Sequence, residues 1–391
     1  MSFLEQTIHS ILDFLTIFVV AQASLLIFIL FVMKRNKKAN IFFGLFIGIL
    51  SLNFFSMFLH GNEYNLPALI ITIFSLPGIS IIGVLIYLYT LNMTGSAEKF
   101  RIKDFCHFII YLILLAVSFA GWHLSKGNPY GFLYTRNLFI ILMGVGLTNS
   151  LIYIIISFIN LRKYNNNLEK YFSDIERYDM NWLKKLTTLS LLFFIIWNSE
   201  FWIFYFEILP RKPFGLLFSM CLLLFIIFSS AYYLINKPDI SSETKEMLDE
   251  LEVEKEKSEK EKYAKQNIDE IMKKEYLSRI RKYMEEKKPY LNENVTIKEL
   301  ASGMDIPSHH LSIVINDVLN INYYTFINEY RIQEAIEILN DPENADANIL
   351  SIAYRSGFNS KSTFNSVFKK ITHKTPSEYR NSLLKSSELA S

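Results

Sequence analysis

The sequence predicts an all-α protein in two unlike halves. A seven-helix transmembrane bundle is followed by a charged helical linker and an all-α domain with two helix–turn–helix units. Three observations predict this. Seven long apolar blocks fill the first 240 residues. A charged, helix-forming stretch without Pro or Gly follows. The rest of the chain then repeats one pattern twice: a short amphipathic helix, a tight turn, a second short helix.

The average of 51% hydrophobic residues conceals the division. Residues 1–240 carry 18 Lys/Arg and 12 Asp/Glu, against 22 and 26 in residues 241–391. The only cysteines, Cys106 and Cys221, lie in apolar segments, which excludes a disulfide framework and a Cys/His metal spacing. No cleavable signal is evident, because the first apolar stretch is of span length and no basic residue precedes it. No nucleophile–base pair, phosphate loop or metal cluster stands out, so neither catalysis nor a cofactor is expected.

The apolar blocks fall at about 12–33, 41–59, 68–91, 106–125, 138–160, 187–207 and 214–236. Each approaches the ~17–25 residues that cross a hydrocarbon core. Backbone groups in lipid must be satisfied within the segment, so each block is expected to be a helix. Alternate loops hold 14 basic residues on one side, including Lys34, Arg35, Lys99, Arg101, Lys184 and Lys185, and 4 on the other. That bias predicts an outside N-terminus and a cytoplasmic segment 237–391. The odd span count predicts the same.

Few polar residues interrupt the blocks. Asn53, Asn149, Asn198 and Glu200 stand out, with Trp197 and Trp202 beside the last two. Intramembrane carboxylates are costly and often functional. Trp197, Asn198, Glu200 and Trp202 are therefore candidate sensing residues. Alternatively, Glu200 makes a structural hydrogen bond or stays wet near the outer interface. His60, His107 and His123 are too separated to signal a metal. Pro77-Gly78 predicts a kink in the third span, and packing is its favoured role.

Residues 241–275 alternate in charge and lack a sustained heptad, which suits a solvated helix. This linker either relays a signal, dimerising at its ends, or spaces the C-terminal domain from an anionic membrane.

A helix is expected over 274–287, ending before Pro289. Thr296 and Glu299 fit a capping box. Ile297, Leu300 and Ala301 make the buried face of a short helix, Gly303-Met304-Asp305 its turn, and Leu311, Val314 and Ile315 the inner face of a second helix. A longer helix follows, with Phe326, Ile327, Tyr330, Ile332, Ala335, Ile336 and Leu339 apolar. The pattern then recurs: Ile349, Ile352 and Ala353; a turn at Gly357-Phe358-Asn359; and a helix over 360–370 with Phe364, Val367 and Phe368 inward. Such a pair lays its second helix in the DNA major groove.

These elements resemble the AraC-type bacterial transcriptional regulators. The matching runs are LSIVIN at 311–316, YYTFINEYRIQEA at 323–335, and IAYRSGFNSKSTFNSVFKK with TPSEYR across 352–380. The whole chain resembles the membrane-embedded members, with an N-terminal multi-span sensor. His373 departs from the family's usual Gly at the end of the last recognition helix, and Pro307 stands where a Ser cap is usual. The resemblance implies Ser308, His309, Ser312 and Ile313 as outward residues of the first recognition helix. On the second it implies Lys361, Ser362, Asn365 and Ser366. Lys361 suits a guanine edge or a phosphate, Asn365 suits adenine, and Ile313 suits a thymine methyl. Ser366, Lys369, Lys370 and Arg380 are phosphate or scaffold positions. Ordinary solvent exposure is the alternative for each.

Charge separates the two heads. Residues 351–391 hold seven basic and two acidic side chains, whereas 296–346 hold only Lys298 and Arg331 against nine acidic ones. The second head is expected to grip DNA. The first contacts it weakly, or only in a dimer or beside RNA polymerase.

The leading expectation is a bacterial one-component regulator that senses a small-molecule, lipid or protein cue and binds double-stranded promoter DNA from the membrane. Its other candidate partners are RNA polymerase and a second copy, through the linker or the membrane domain. The alternatives are a membrane enzyme or transporter with a regulatory DNA-binding tail, and a non-sensing anchor controlled by a partner.

Overall fold

A computed structural model describes residues 3–62, 64–95, 102–124, 136–175, 180–205, 214–236, 270–344 and 347–390. Contacts divide the chain into two compact units. One comprises residues 1–163 and 180–239, the other 164–179 and 240–391.

The first unit is helical. Its helices are α1 (Phe3–Val32), α2 (Lys37–Gly61), α3 (Asn65–Gly78), α4 (Ile82–Met93), α5 (Ile109–Leu124), most of α6 (Arg136–Tyr171), α7 (Asn181–Tyr205) and α8 (Phe214–Asn236). These helices are apolar on more than one face. Helix α2 buries Phe43, Phe46, Ile47, Leu50 and Phe54, yet leaves Leu45, Leu52 and Met57 exposed. Phe14, Phe28 and Phe225 are each more than half exposed. Helices apolar all round are expected in lipid.

The seven-span expectation is corrected here. Among the described residues, four helical segments are long and apolar enough to cross a membrane: Ser10–Val32, Lys37–Gly61, Leu66–Met93 and Gly144–Tyr171. The blocks near 106–125 and 214–236 yield shorter apolar helical stretches, Phe105–Ala120 and, within α8, Leu217–Tyr233. The block near 187–207 lies in α7, which begins with Lys184 and Lys185 in its first turns. Blocks such as those in α7 and α8 are helical along most of their length, but among the described residues they offer no apolar stretch of spanning length. Four such segments no longer supply the odd count that would put the two ends of the membrane half on opposite sides. Four such helices still mark a multi-pass membrane protein.

Pro77-Gly78 breaks its span more sharply than a kink. Helix α3 stops at Gly78, a 3-10 turn covers Ile79–Ile81, and α4 resumes at Ile82. Proline has no N–H to continue the ladder. Side chains from two other helices take up the carbonyls. Asn53 Nδ2 donates to Ser75 O at 3.0 Å. Asn149 Nδ2 donates to Ser80 O at 2.9 Å, and Ser150 Oγ to Ile79 O at 2.7 Å. Two of the polar residues conspicuous in the sequence thus repair a broken backbone.

The second unit holds the C-terminal domain. Helix α9 (Glu270–Lys287) buries Ile280 and Met284. Helix α10 (Ile297–Gly303) opens on the expected capping box: Glu299 N donates to Thr296 Oγ1 at 3.3 Å, and Thr296 N to Glu299 Oε2 at 2.8 Å. Such a cap contributes about 1 kcal/mol. Asp305 turns the chain at φ +59°. Helix α11 (Ser308–Ile313) follows and widens into a π turn over Val314–Val318. The long helix α12 (Tyr323–Asn340) is capped by Asn322. Then come α13 (Ile349–Arg355), the turn at Gly357 with φ +89°, α14 (Lys361–Thr372) and α15 (Pro376–Ala390). Ser360 caps α14 by accepting from Thr363 N at 3.1 Å. His373 ends α14 in the left-handed region at φ 61°, where glycine is easier. Phe358, Phe364 and Phe368 are buried with Ile332, Ala335, Ile352 and Ala353. Each such aromatic contributes about 1.5–3 kcal/mol by leaving water.

Candidate nucleic-acid interface

Helix α14 is the most sharply two-faced helix of the second unit. Phe364, Val367 and Phe368 face the core, and Lys361, Ser362, Ser366, Lys369 and Lys370 are exposed. Lys361 and Asn365 lie four residues apart, hence on one face. That face borders an open cleft of about 660 Å³, lined also by Asn348, Thr375, Ser377 and Arg380. Two further features suit the cleft to anions. The N-terminus of α15 opens onto it, where the helix dipole favours negative charge, although Glu378 already accepts from Thr375 N at 2.7 Å and its own N–H donates to Thr375 Oγ1. Lys361 supplies an exposed cation. A phosphate backbone fits this chemistry.

Arg380 has a structural tie as well: its Nη1 donates to Ala347 O at 2.6 Å, pinning α15 to the start of α13. Lys369 and Lys370 occupy the last turn of α14, where cations suit the dipole.

The expected residues of the first head sit apart from this cleft, on α11. Ser308, His309, Ser312 and Ile313 are all half-buried. Ser312 Oγ accepts from Asn316 Nδ2 at 3.1 Å. The His309 and His310 rings lie 4.1 Å apart, edge to face. Burial, reinforced by His309, pulls the His310 pKa below 6.5. Pro307 precedes α11 without a side-chain cap.

One residue counted with the first head's surface charge lies inside. Arg331 on α12 is 1% exposed. Its Nε donates to Tyr290 O at 2.8 Å, and its Nη2 to Asn292 O at 2.9 Å and Glu293 O at 3.2 Å. Its Nη1 reaches Asn328 Oδ1 at 3.3 Å. Burial lowers its pKa to about 10, so it remains charged at neutral pH. Of the two basic residues in 296–346, Lys298 is then the exposed one.

Sequence reading also missed a segment. The chain between α6 and α7 clusters with this domain. Phe172 forms an antiparallel bridge with Thr296, and Ser173 accepts from Arg331 through both its carbonyl, at 3.2 Å, and its Oγ, at 3.1 Å. The unusual signal was Arg331 itself, a cation in the apolar register of a helix.

Of the candidate sensing residues, Trp202 is half-buried in α7. The side chains of Trp197, Asn198 and Glu200 lie outside the described residues. So does the linker up to residue 269. Among the described residues, no group of three or more His, Cys, Asp or Glu is placed to hold a metal ion.

These features define a membrane-associated protein with a C-terminal helix-turn-helix DNA-binding domain. A helix-turn-helix domain family model matches residues 300–382. The chain is 32% identical over 91 residues to an uncharacterised HTH-type transcriptional regulator of Staphylococcus aureus (strain COL), covering 23% of this chain and 12% of that protein. It is 28% identical over 88 residues to the uncharacterised HTH-type transcriptional regulator YdeC of Bacillus subtilis (strain 168), covering 22% of this chain and 29% of that protein. The chain thus spans less than a third of either relative. No solved structure matches it.

Proposed function

We propose that this chain is a bacterial one-component transcriptional regulator of the AraC type. Its membrane helices receive a cue, and its cytoplasmic double helix-turn-helix reads promoter DNA. The observation that carries this reading is the α14 face, where Lys361 and Asn365 border a cleft that also opens on Arg380 and the start of α15. Membrane helices in the same chain keep that reader at the bilayer, on the cytoplasmic side where DNA is.

In this reading Lys361, Ser362, Asn365 and Ser366 enter the major groove, and Lys369, Lys370 and Arg380 bind phosphates or brace the fold. Ser308, His309, Ser312 and Ile313 make the weaker, first-head contacts. A connector as rigid as α12 suits two heads reading successive grooves, about 34–36 Å apart. No catalytic step is involved. RNA polymerase and a second copy are the candidate protein partners.

Chromatin immunoprecipitation of the intact protein, with matched transcript profiling, tests the proposal. Wild type enriches a small set of promoters whose transcripts change when the gene is deleted. Lys361→Ala with Asn365→Ala abolishes that enrichment while protein level and membrane fractionation hold. Equal enrichment for the two proteins overturns it.

A further inference from the structure

The segment 168–174, the last turn of α6 and the chain that leaves it, is seated on both heads at once. Its Phe172 bridges to Thr296 at the cap of α10. Its Ser173 and the buried Arg331 of α12 are hydrogen-bonded twice. Its Glu169 Oε2 accepts from Asn322 Nδ2, the cap of α12, at 2.9 Å. Its Asp174 accepts from Asn359, the residue before the cap of α14. First head, connector and second head are thereby tied by six residues. Leu168, Phe172, Ser173 and Asp174 are all buried.

Three further observations point to control rather than scaffolding. The matched helix-turn-helix region begins at residue 300, so this segment is no part of that module. The segment is covalently continuous with α6 and α7, so any shift of either helix pulls on it directly. Its charge is also wrong for a DNA-binding surface: residues 164–179 carry Glu169, Asp174, Glu176 and Asp179 against Lys170 and Arg177. Asp174 places a carboxylate at the N-terminal end of the recognition helix, two residues from Lys361 at Asn359. There it opposes an approaching phosphate.

We propose that residues 169–174 form an autoinhibitory strap. Docked, the strap holds the two heads in one geometry and sets acidic groups against the reader. Freed by movement of α6 or α7, it releases both heads for DNA. The inference rests on the DNA-binding reading above.

The bridged pair Phe172 and Thr296 provides a reversible lock. Cα atoms of an antiparallel pair lie within disulfide range. Phe172→Cys with Thr296→Cys is made in the full chain in nanodiscs, with Cys106 and Cys221 replaced by Ala. Binding to a fluorescent duplex of about four helical turns is followed by anisotropy at fixed low salt. The oxidised, strapped form is expected to bind at least about tenfold more weakly than the same sample reduced. Glu169→Ala with Asp174→Ala, cysteine-free, is expected to bind about tenfold more tightly than its parent. Equal or tighter binding by the oxidised form overturns the strap. If neither redox form binds the duplex, the DNA-binding reading itself fails.

Discussion

Gly357 lies against the carbonyl oxygen of Tyr290 so closely that a Cβ there would overlap it. The same Cβ would come within 2.9 Å of Leu291 Cα and 3.2 Å of Arg331 Nε. Gly357 also turns at φ +89°, a region L side chains avoid. The turn before α14 is therefore built for glycine twice over. Gly357→Ala is expected to destabilise the C-terminal domain by at least about 2 kcal/mol. Limited proteolysis against urea reads this directly. An unchanged midpoint would refute the packing argument.

Arg331 is buried with backbone carbonyls as its main partners. Removing it strands those carbonyls, so Arg331→Ala is expected to cost about 3–5 kcal/mol. Arg331→Lys should not rescue, because an ammonium cannot reproduce the planar fork that reaches Tyr290, Asn292 and Ser173 together. Denaturant unfolding of both variants checks this; a lysine variant as stable as wild type sinks it.

The broken span makes a separate prediction. Asn149→Leu with Ser150→Ala removes the donors to Ser80 O and Ile79 O. A loss of about 1–2 kcal/mol per carbonyl is expected, read as a lower melting temperature in detergent. DNA binding at a temperature where both proteins are folded should be unchanged. If melting does not move, those buried carbonyls are being satisfied in another way.

Acid should weaken the first head. The His310 pKa is held below 6.5 in the folded protein, by burial first and by His309 second. The unfolded chain then takes up the proton at higher pH than the folded one. The contribution is fully present above 6.5 and is lost as pH falls through the window below it. Melting temperatures at about pH 7.5 and about pH 5.5 should differ more for wild type than for His310→Gln. Identical differences would show that this histidine does not couple.

The two heads should contribute unequally to DNA affinity. Lys361→Ala with Lys369→Ala is expected to weaken binding far more than His309→Ala, and to shallow the salt dependence by about one ion per phosphate lost. Anisotropy titrations over a salt series measure both. Equal losses from the two heads contradict the charge argument.

Much of the C-terminal domain was legible because its signals are local. Thr296 and Glu299 stand three residues apart, and the capping box needs nothing else. The inward triads Leu311, Val314, Ile315 and Phe364, Val367, Phe368 follow from helical spacing and are buried as read. The membrane half was read less well. Apolar runs reveal where a helix prefers lipid, but not whether it spans, so among the described residues the seven blocks gave four segments of spanning length. Asn53 and Asn149 looked like isolated polar residues until the broken carbonyls at Ser75 and Ser80 supplied their partners.

By itself the sequence determined composition-driven properties: an apolar half suited to lipid, a basic amphipathic helix near the C-terminus, and caps and turns set by neighbours a few residues apart. Only the tertiary structure decided what Arg331 and residues 169–174 do. They stand about 158 positions apart, and no spacing rule links them. A buried guanidinium can be satisfied by any carbonyl that reaches it. Which carbonyl that is depends on how the chain returns from α6, and the folded arrangement alone selects Ser173.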